Sequence, residues 1–110
     1  MTKKLSLALG ILALGALSFA FAKTYDIAIT HPAKAGKQQL TAGEYRLKVE
    51  GANAVFTDVR TSKSFSVPVK IETGDKKFSV TSVDTTQEGE GERINSIQLG
   101  GSTTKLEFAY

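Results

Sequence analysis

Residues 44–51 read Glu-Tyr-Arg-Leu-Lys-Val-Glu-Gly, with apolar side chains at positions 45, 47 and 49 and charged side chains between them. Successive side chains of an extended strand point to opposite faces, so this segment has one apolar face and one charged face. The glycine that follows is typical of a turn. The pattern predicts a half-buried β-strand, and it recurs on both sides of this segment.

Apolar and polar residues alternate with a period of two through most of the chain after residue 22. No segment there shows the sustained 3.6-residue period of a helix. Turn-forming residues separate the runs, and Gly74-Asp75 is a candidate two-residue hairpin turn. Several short strands with regular turns predict an all-β protein, an antiparallel β-sandwich or a small barrel of about seven or eight strands. Further predicted strands cover residues 25–29, 54–59, 65–71, 78–81, 97–99 and 106–110.

The predicted strand at 65–71 carries a proline on its polar face. Proline has no N–H to donate to a sheet ladder, so we expect this strand to lie at an edge of the sheet, or to have a bulge at the proline. An edge strand offers unpaired backbone groups to a partner strand. The candidate partner-binding residues are Phe65, Val67, Pro68 and Val69.

A second irregularity lies near residue 80. Val80 and Val83 are three positions apart, which breaks the alternation. A bulge or bend near Ser82 would account for this spacing. Exposure of Val83 to solvent would account for it equally well.

The first 22 residues have the composition of a secretory signal peptide. Lys3 and Lys4 precede a nearly uninterrupted apolar run over residues 5–21, and Ala20-Phe21-Ala22 matches a small-x-small cleavage site. A permanent membrane span is disfavoured, because small residues interrupt the run and its ends have no aromatic anchor. We expect residues 1–22 to be removed and residues 23–110 to form one domain, exported by a bacterium to the periplasm or the outside of the cell.

Charge and cysteine content narrow the possible functions. The chain has 14 basic and 11 acidic residues, but the predicted leader holds two lysines and no acid, which leaves residues 23–110 with a net charge of +1. The lysines are spread among acids, so neither nucleic acid nor anionic lipid is indicated as a partner. The chain has no cysteine. A lipid-modified cysteine is therefore excluded, and stability has to come from the core, unless a partner or oligomer contributes.

The segment Leu40-Thr41-Ala42-Gly43-Glu44-Tyr45-Arg46-Leu47-Lys48-Val49 has the pattern Leu-x-Ala-Gly-x-Tyr-x-Leu-x-Val. It resembles the hairpin of prealbumin-like and carboxypeptidase-regulatory-like β-sandwich domains of secreted bacterial proteins. The chain as a whole resembles small exported bacterial proteins. The resemblance covers about ten residues and implies an immunoglobulin-like or prealbumin-like sandwich that binds a partner or has a structural role. It implies no catalytic residue.

Few residues are candidates for catalysis or metal binding. His31, the single histidine, precedes Pro32 in a predicted loop, and we interpret it as a solvated residue, with a metal ligand or a pH-sensitive contact as alternatives. No Gly-x-Ser-x-Gly motif occurs, so a Ser-His-Asp site is not indicated. We expect no catalytic residue and no cofactor.

The weak metal candidates are Glu88, Glu90 and Glu92. If extended, the segment places all three carboxylates on one side, where a hard cation such as Ca²⁺ would relieve their repulsion. Arg93 would neutralise part of this charge. The alternative interpretation is a flexible, soluble hairpin tip whose glycines allow the bend.

Three functions fit this sequence. We predict a non-catalytic secreted or periplasmic module that binds an envelope or extracellular partner by edge-strand contact, without nucleic acid and without a stable membrane span after processing. The first alternative is a small barrel that carries an apolar ligand among aromatic side chains. The second is a small hydrolase that uses paired carboxylates. The aromatic side chains available to a carrier are Tyr25, Tyr45, Phe56, Phe78 and Phe108.

Overall fold

The computed structural model describes residues 23–110, and the predicted signal peptide lies outside them. Every regular secondary-structure element in this range is a β-strand, which confirms the predicted all-β class. There are nine strands in this range, where about seven or eight were expected. The strands are β1 (Thr24–Ile29), β2 (Ala33–Ala35), β3 (Gln38–Leu40), β4 (Gly43–Glu50), β5 (Asn53–Asp58), β6 (Ser64–Thr73), β7 (Ser82–Glu88), β8 (Gly91–Gln98) and β9 (Thr104–Phe108).

The strands pair in one continuous path, in the order β1-β4-β5-β6-β9-β8-β2-β3, and β7 pairs with β8 beside this path. Every pair is antiparallel except β2–β8, which is parallel. The expected antiparallel pairing is therefore observed in all pairs but one. The finer expectation of two stacked sheets stays a prediction.

β6 connects the two parts of the path. Its residues 64–68 pair with β5, and its residues 69–73 pair with β9. We call β1, β4, β5 and residues 64–68 the first half-sheet. The second half-sheet comprises residues 69–73 with β9, β8, β7, β2 and β3.

Pro68 lies at the point where β6 changes partners. The N–H of Val69 donates to the Ala52 carbonyl at 2.9 Å, on the β5 side. Backbone groups of neighbouring strand residues point to opposite sides, so the nitrogen of Pro68 faces away from β5. The β9 ladder starts one residue later, at Val69. The missing donor therefore falls where no strand of the described chain needs it.

The prediction of an edge strand at 65–71 holds in part. β6 lies between β5 and β9 in the pairing order, but each of its residues pairs with only one of these strands. Within the described part, residues 64–68 pair with β5 and with no other strand, and residues 69–73 pair with β9 and with no other strand. The proline marks a change of partner within a long strand, a possibility that the sequence argument did not include.

The predicted strand at 78–81 and the predicted hairpin at Gly74-Asp75 are wrong, because residues 74–81 form a loop. Phe78 donates its N–H to the Ser102 carbonyl at 2.8 Å and accepts the Gly101 N–H at 2.7 Å. A Cβ added to Gly100 would lie 2.6 Å from the carbonyl carbon of Val80. The loop therefore packs directly on the turn before β9. β6 pairs with β9, and not with residues 78–81 as the predicted hairpin required.

The irregularity that the sequence placed near Ser82 lies on the neighbouring strand. In the β7–β8 ladder, Asp84 pairs with Ser96 and Thr85 pairs with Ile94, so one residue of β8 has no counterpart. Ile94 and Ile97 are three positions apart, and both are fully buried. The bulge between them directs both side chains into the core.

One hydrophobic core draws on both half-sheets. The edge of the Tyr45 ring packs on Phe56 with ring centroids 6.4 Å apart, and Phe56 packs on Phe108 at 6.1 Å. Burial of each large side chain contributes about 1.5–3 kcal/mol. The buried apolar residues are Ile27, Ile29, Ala33, Ala35, Leu40, Tyr45, Leu47, Ala54, Phe56, Val67, Ile94, Ile97, Leu99, Leu106 and Phe108.

Tyr45 fixes the crossing of the chain from β3, in the second half-sheet, to β4, in the first. Its ring is buried, and its hydroxyl donates to the Thr41 carbonyl at 2.7 Å. A tyrosine at a strand start that bonds to backbone a few residues upstream has the geometry of a tyrosine corner. The Leu40–Val49 segment thus crosses between the half-sheets, while its prealbumin-like resemblance stays a prediction.

Candidate partner-binding edge

The four residues predicted for partner binding do not share a surface. Val67 is buried, Phe65 and Val69 are half-buried, and Pro68 is exposed. Successive residues of β6 point to opposite faces, so the apolar three contribute to the core side. A partner at residues 64–68 would meet mainly the exposed face of Ser64, Ser66 and Pro68.

The three glutamates predicted as metal candidates lie at the tip of the β7–β8 hairpin. Gln87 pairs with Glu92 and Glu88 pairs with Gly91, so Glu88 and Glu92 lie on opposite faces of the hairpin. All three glutamates border an open concavity of about 340 Å³, together with Pro32, Lys34, Gln39 and Gly91. Within residues 23–110, no group of three or more His, Cys, Asp or Glu side chains is placed to hold a metal ion.

His31 joins the β1–β2 loop to this hairpin. Its Nδ1 lies 3.5 Å from a carboxylate oxygen of Glu92, and its side chain is 65% exposed. The firmer contact is in the backbone, where the Glu92 N–H donates to the Pro32 carbonyl at 2.9 Å. A Cβ at Gly91 would lie 2.8 Å from that oxygen, so the approach requires a glycine. His31 is thus an exposed loop residue beside a carboxylate.

β7 is the outermost strand on its side of the second half-sheet. The Glu92 N–H points to the β2 side, and backbone groups of successive strand residues alternate in direction, so the N–H and C=O groups of residues 91 and 93 point toward β7. The backbone groups of their β7 partners, Glu88 and Thr86, point back toward β8. The backbone groups of the β7 residues that alternate with these point away from the sheet. We call the outward N–H and C=O groups of Val83, Thr85 and Gln87 the β7 edge; within the described residues no strand pairs with it.

The outer face of β7 is polar and partly acidic. Asp84, Thr86 and Glu88 are exposed there. The amide of Asn95, the bulged residue of β8, donates to Asp84 at 3.1 Å and to Thr86 at 2.8 Å. Glu88 lies 3.6 Å from the Arg93 guanidinium. These contacts hold the outer face of the hairpin in place and leave the outward backbone groups free.

The β7 edge has few of the features that usually protect an edge strand. Natural sheets protect edges with charged side chains, especially lysines, and with prolines, bulges or very short strands. β7 has two exposed carboxylates, Asp84 and Glu88, but it is seven residues long, contains no lysine and no proline, and its bulge falls on β8. The other outer strands are β1, which has six residues and likewise no lysine or proline, and β3, which has three. Each part of β6 also has one unpaired side, but it is only five residues long, and β6 contains a proline. β7 is therefore the longest unpaired edge in the described part.

Few features of the sequence indicate the β7 edge. The strand reads Ser-Val-Asp-Thr-Thr-Gln-Glu, with one large apolar residue, so apolar alternation does not detect it. Threonine is a good strand former, and the glycines at 89 and 91 mark the turn that follows. These two signals together could have indicated the hairpin.

Tyr110 covers a gap in the pairing of β8. On one side β8 pairs with β2 up to Arg93 and with β9 from Ser96 onward. The Tyr110 hydroxyl donates to the carbonyls of Ile94 and Lys34, which face this gap. Tyr110 is 57% exposed, and the partial burial of its side chain raises its pKa above the ordinary value of 10.0, while a backbone bond from Gly36 and the nearby Arg93 charge oppose that rise.

Two shallow concavities lie on the first half-sheet. One has a volume of about 380 Å³ and borders β1 and β4, and the other, of about 370 Å³, borders the β5–β6 turn. Both are open to solvent and include charged side chains, among them Glu44, which borders both. Neither has the enclosed apolar lining that a carrier of an apolar ligand needs.

No protein-family model, curated protein or solved structure matches this chain. Among residues 23–110, no helix has the length and hydrophobicity needed to cross a membrane.

Proposed function

We propose that this chain is an exported, non-catalytic β module that binds a protein of the envelope or the extracellular space by adding a partner strand to the β7 edge. One observation carries the proposal: a seven-residue outermost strand whose outward groups pair with no strand of the described chain. A strand added there would gain main-chain hydrogen bonds at Val83, Thr85 and Gln87. The predicted export signal supports the location.

The non-catalytic part of the proposal rests on the side chains present. The chain has one histidine and no cysteine, and His31 is largely exposed. A carrier function has less support, because Tyr45, Phe56 and Phe108 pack against each other in the core. That packing leaves the interior occupied by side chains of the protein itself.

Site-specific crosslinking in cells that express the full chain tests the proposal. A photoreactive residue at Gln87, exposed on the β7 edge, is expected to capture one major partner protein. The matched control carries the same photoreactive residue at Lys48, on β4, which is paired with strands on both sides. Identical adducts from both positions, or no adduct from Gln87, would contradict the proposal.

A further inference from the structure

We infer that the strand received by the β7 edge belongs to a basic, extended segment with lysine or arginine at two positions four residues apart. The inference rests on the proposed function and specifies its partner. It follows from the placement of two carboxylates, Asp84 and Glu88, along the outer face of β7.

Asp84 and Glu88 are four positions apart on a regular strand, so both side chains lie on the same face. Their own backbone groups point to β8, which makes them non-hydrogen-bonded positions with respect to a strand added antiparallel on the outside. Side chains opposite each other approach most closely at such positions. Two basic residues of the added strand would therefore stand directly beside the two carboxylates.

The charged side chains of β7 and of the turn after it are all acidic. β7 and the turn after it carry three acids, Asp84, Glu88 and Glu90, and no basic residue. Like charges placed directly opposite each other on neighbouring strands are destabilising. An acidic segment would therefore be disfavoured at this edge, and a basic one favoured.

Both carboxylates keep room for a further partner. Asp84 accepts one bond from the Asn95 amide, and a carboxylate offers about four acceptor sites. Glu88 lies 3.6 Å from Arg93, and both side chains of that pair are partly exposed. Exposed pairs of this kind contribute little, so an incoming lysine can compete for Glu88.

Peptide binding to the full chain tests the inference. The probe is a synthetic extended peptide of alternating threonine and valine with two lysines four positions apart, and its counterpart has glutamate at both positions. We expect the lysine peptide to bind at least about tenfold more tightly, and the preference to weaken as salt is added. The measurement is fluorescence anisotropy of the labelled peptides.

Two variants locate the preference. Asp84→Asn with Glu88→Gln removes both charges, keeps the side-chain shapes, and is expected to remove most of the preference for lysine. The matched control, Asp26→Asn with Glu50→Gln, removes two exposed acids from the first half-sheet and is expected to leave the preference unchanged. A preference that survives in the first variant, or is lost in the second, would overturn the inference.

A peptide methylated at the nitrogens that face the β7 edge separates this inference from the proposed function. If lysine and glutamate peptides bind equally and methylation abolishes both, strand addition stands and the basic partner is refuted. If neither peptide binds while Gln87 captures a partner in cells, the partner class is again refuted. If neither peptide binds and Gln87 captures nothing, both proposals fail.

Discussion

Gly36 and Gly51 have nearly the same left-handed backbone conformation, with φ of 63° and 62°, but very different surroundings. A Cβ at Gly36 would lie 2.8 Å from Cγ1 of Val67, whereas a Cβ at Gly51 would meet nothing within 4 Å. Val67 is buried, so its side chain has little freedom to move aside. The two positions therefore separate backbone strain from steric conflict with the core.

Alanine at these glycines is expected to have unequal effects. Gly51→Ala adds only left-handed strain and should lower the free energy of unfolding by about 1 kcal/mol. Gly36→Ala adds a clash with the core and should cost about 2–4 kcal/mol. Urea unfolding followed by circular dichroism measures both. Equal losses would show that the Gly36 turn moves away from Val67 at no cost.

Tyr110 gives a prediction for alkaline pH. Its neutral hydroxyl shares one proton between two carbonyls, and partial burial raises its pKa above 10.0, so the fold favours the protonated form. This contribution to stability is complete below pH 10.0 and is lost as the pH rises through the raised pKa. Wild type should therefore exceed Tyr110→Phe in unfolding free energy at neutral pH, and the difference should vanish above that pKa.

Urea unfolding of both proteins over a pH series checks this prediction. Tyr25 and Tyr45 are present in both, so their ionisation cancels in the comparison. A difference that stays constant from neutral to strongly alkaline pH would show that the Tyr110 hydroxyl contributes nothing through its proton.

At the scale of elements, the bulge of β8 allows two residues three positions apart, Ile94 and Ile97, to point to the same face of a sheet in which side chains otherwise alternate. Ile94 and Ile97 both point into the core because Asn95 and Ser96 lie between them at the register shift. If Asn95 were deleted, only Ser96 would lie between Ile94 and Ile97, and the two isoleucines would still share a face, because alternate residues of a regular strand point the same way. The bulge accommodates an additional residue and places its amide over Asp84 and Thr86.

Deletion of Asn95 is therefore expected to be tolerated. The ladder becomes regular, and the cost is limited to the lost amide bonds and a change in strand twist, about 1–2 kcal/mol. The control is deletion of Arg46 from β4, which has no bulge and carries Tyr45 and Leu47 on its buried face. That deletion turns buried side chains to the opposite face and should cost more than about 3 kcal/mol.

Thermal unfolding of the two deletion variants measures this contrast. Equal destabilisation by the two deletions would show that the bulge, and not the orientation of the isoleucines, stabilises the hairpin.

At the scale of the whole molecule, the core does not divide along the two half-sheets. Phe56 of the first half-sheet packs on Phe108 of the second, and Val67 of β6 lies under the Gly36 turn. Because neither half-sheet can bury its apolar face without the other, we expect residues 23–110 to unfold in one cooperative transition. Near-ultraviolet signals of the tyrosines and far-ultraviolet circular dichroism should give the same midpoint in urea. Two separated midpoints would contradict a shared core.

Local patterns in the sequence determined the strands with strong apolar alternation. β1, β4, β6 and β9 all carry such runs, and each was predicted within a few residues of its observed bounds. β2 and β3 were missed, since Ala33 and Ala35 are too small to give an apolar signal, and β7 is almost wholly polar. The segment 78–81 has the alternation of a strand but forms a loop, because the turn at Gly100 packs against the backbone of Val80 and Thr81.

By itself, the sequence determined that residues 23–110 are all-β, because the alternation of side chains along an extended chain is a local property. Only the tertiary structure decided which strands pair, where β6 changes partners, and that β7 is left with an unpaired side. Pairing depends on contacts between residues far apart in the chain, and no local pattern records them. The candidate site is such an unpaired side, so it could be located only once the strand order was known.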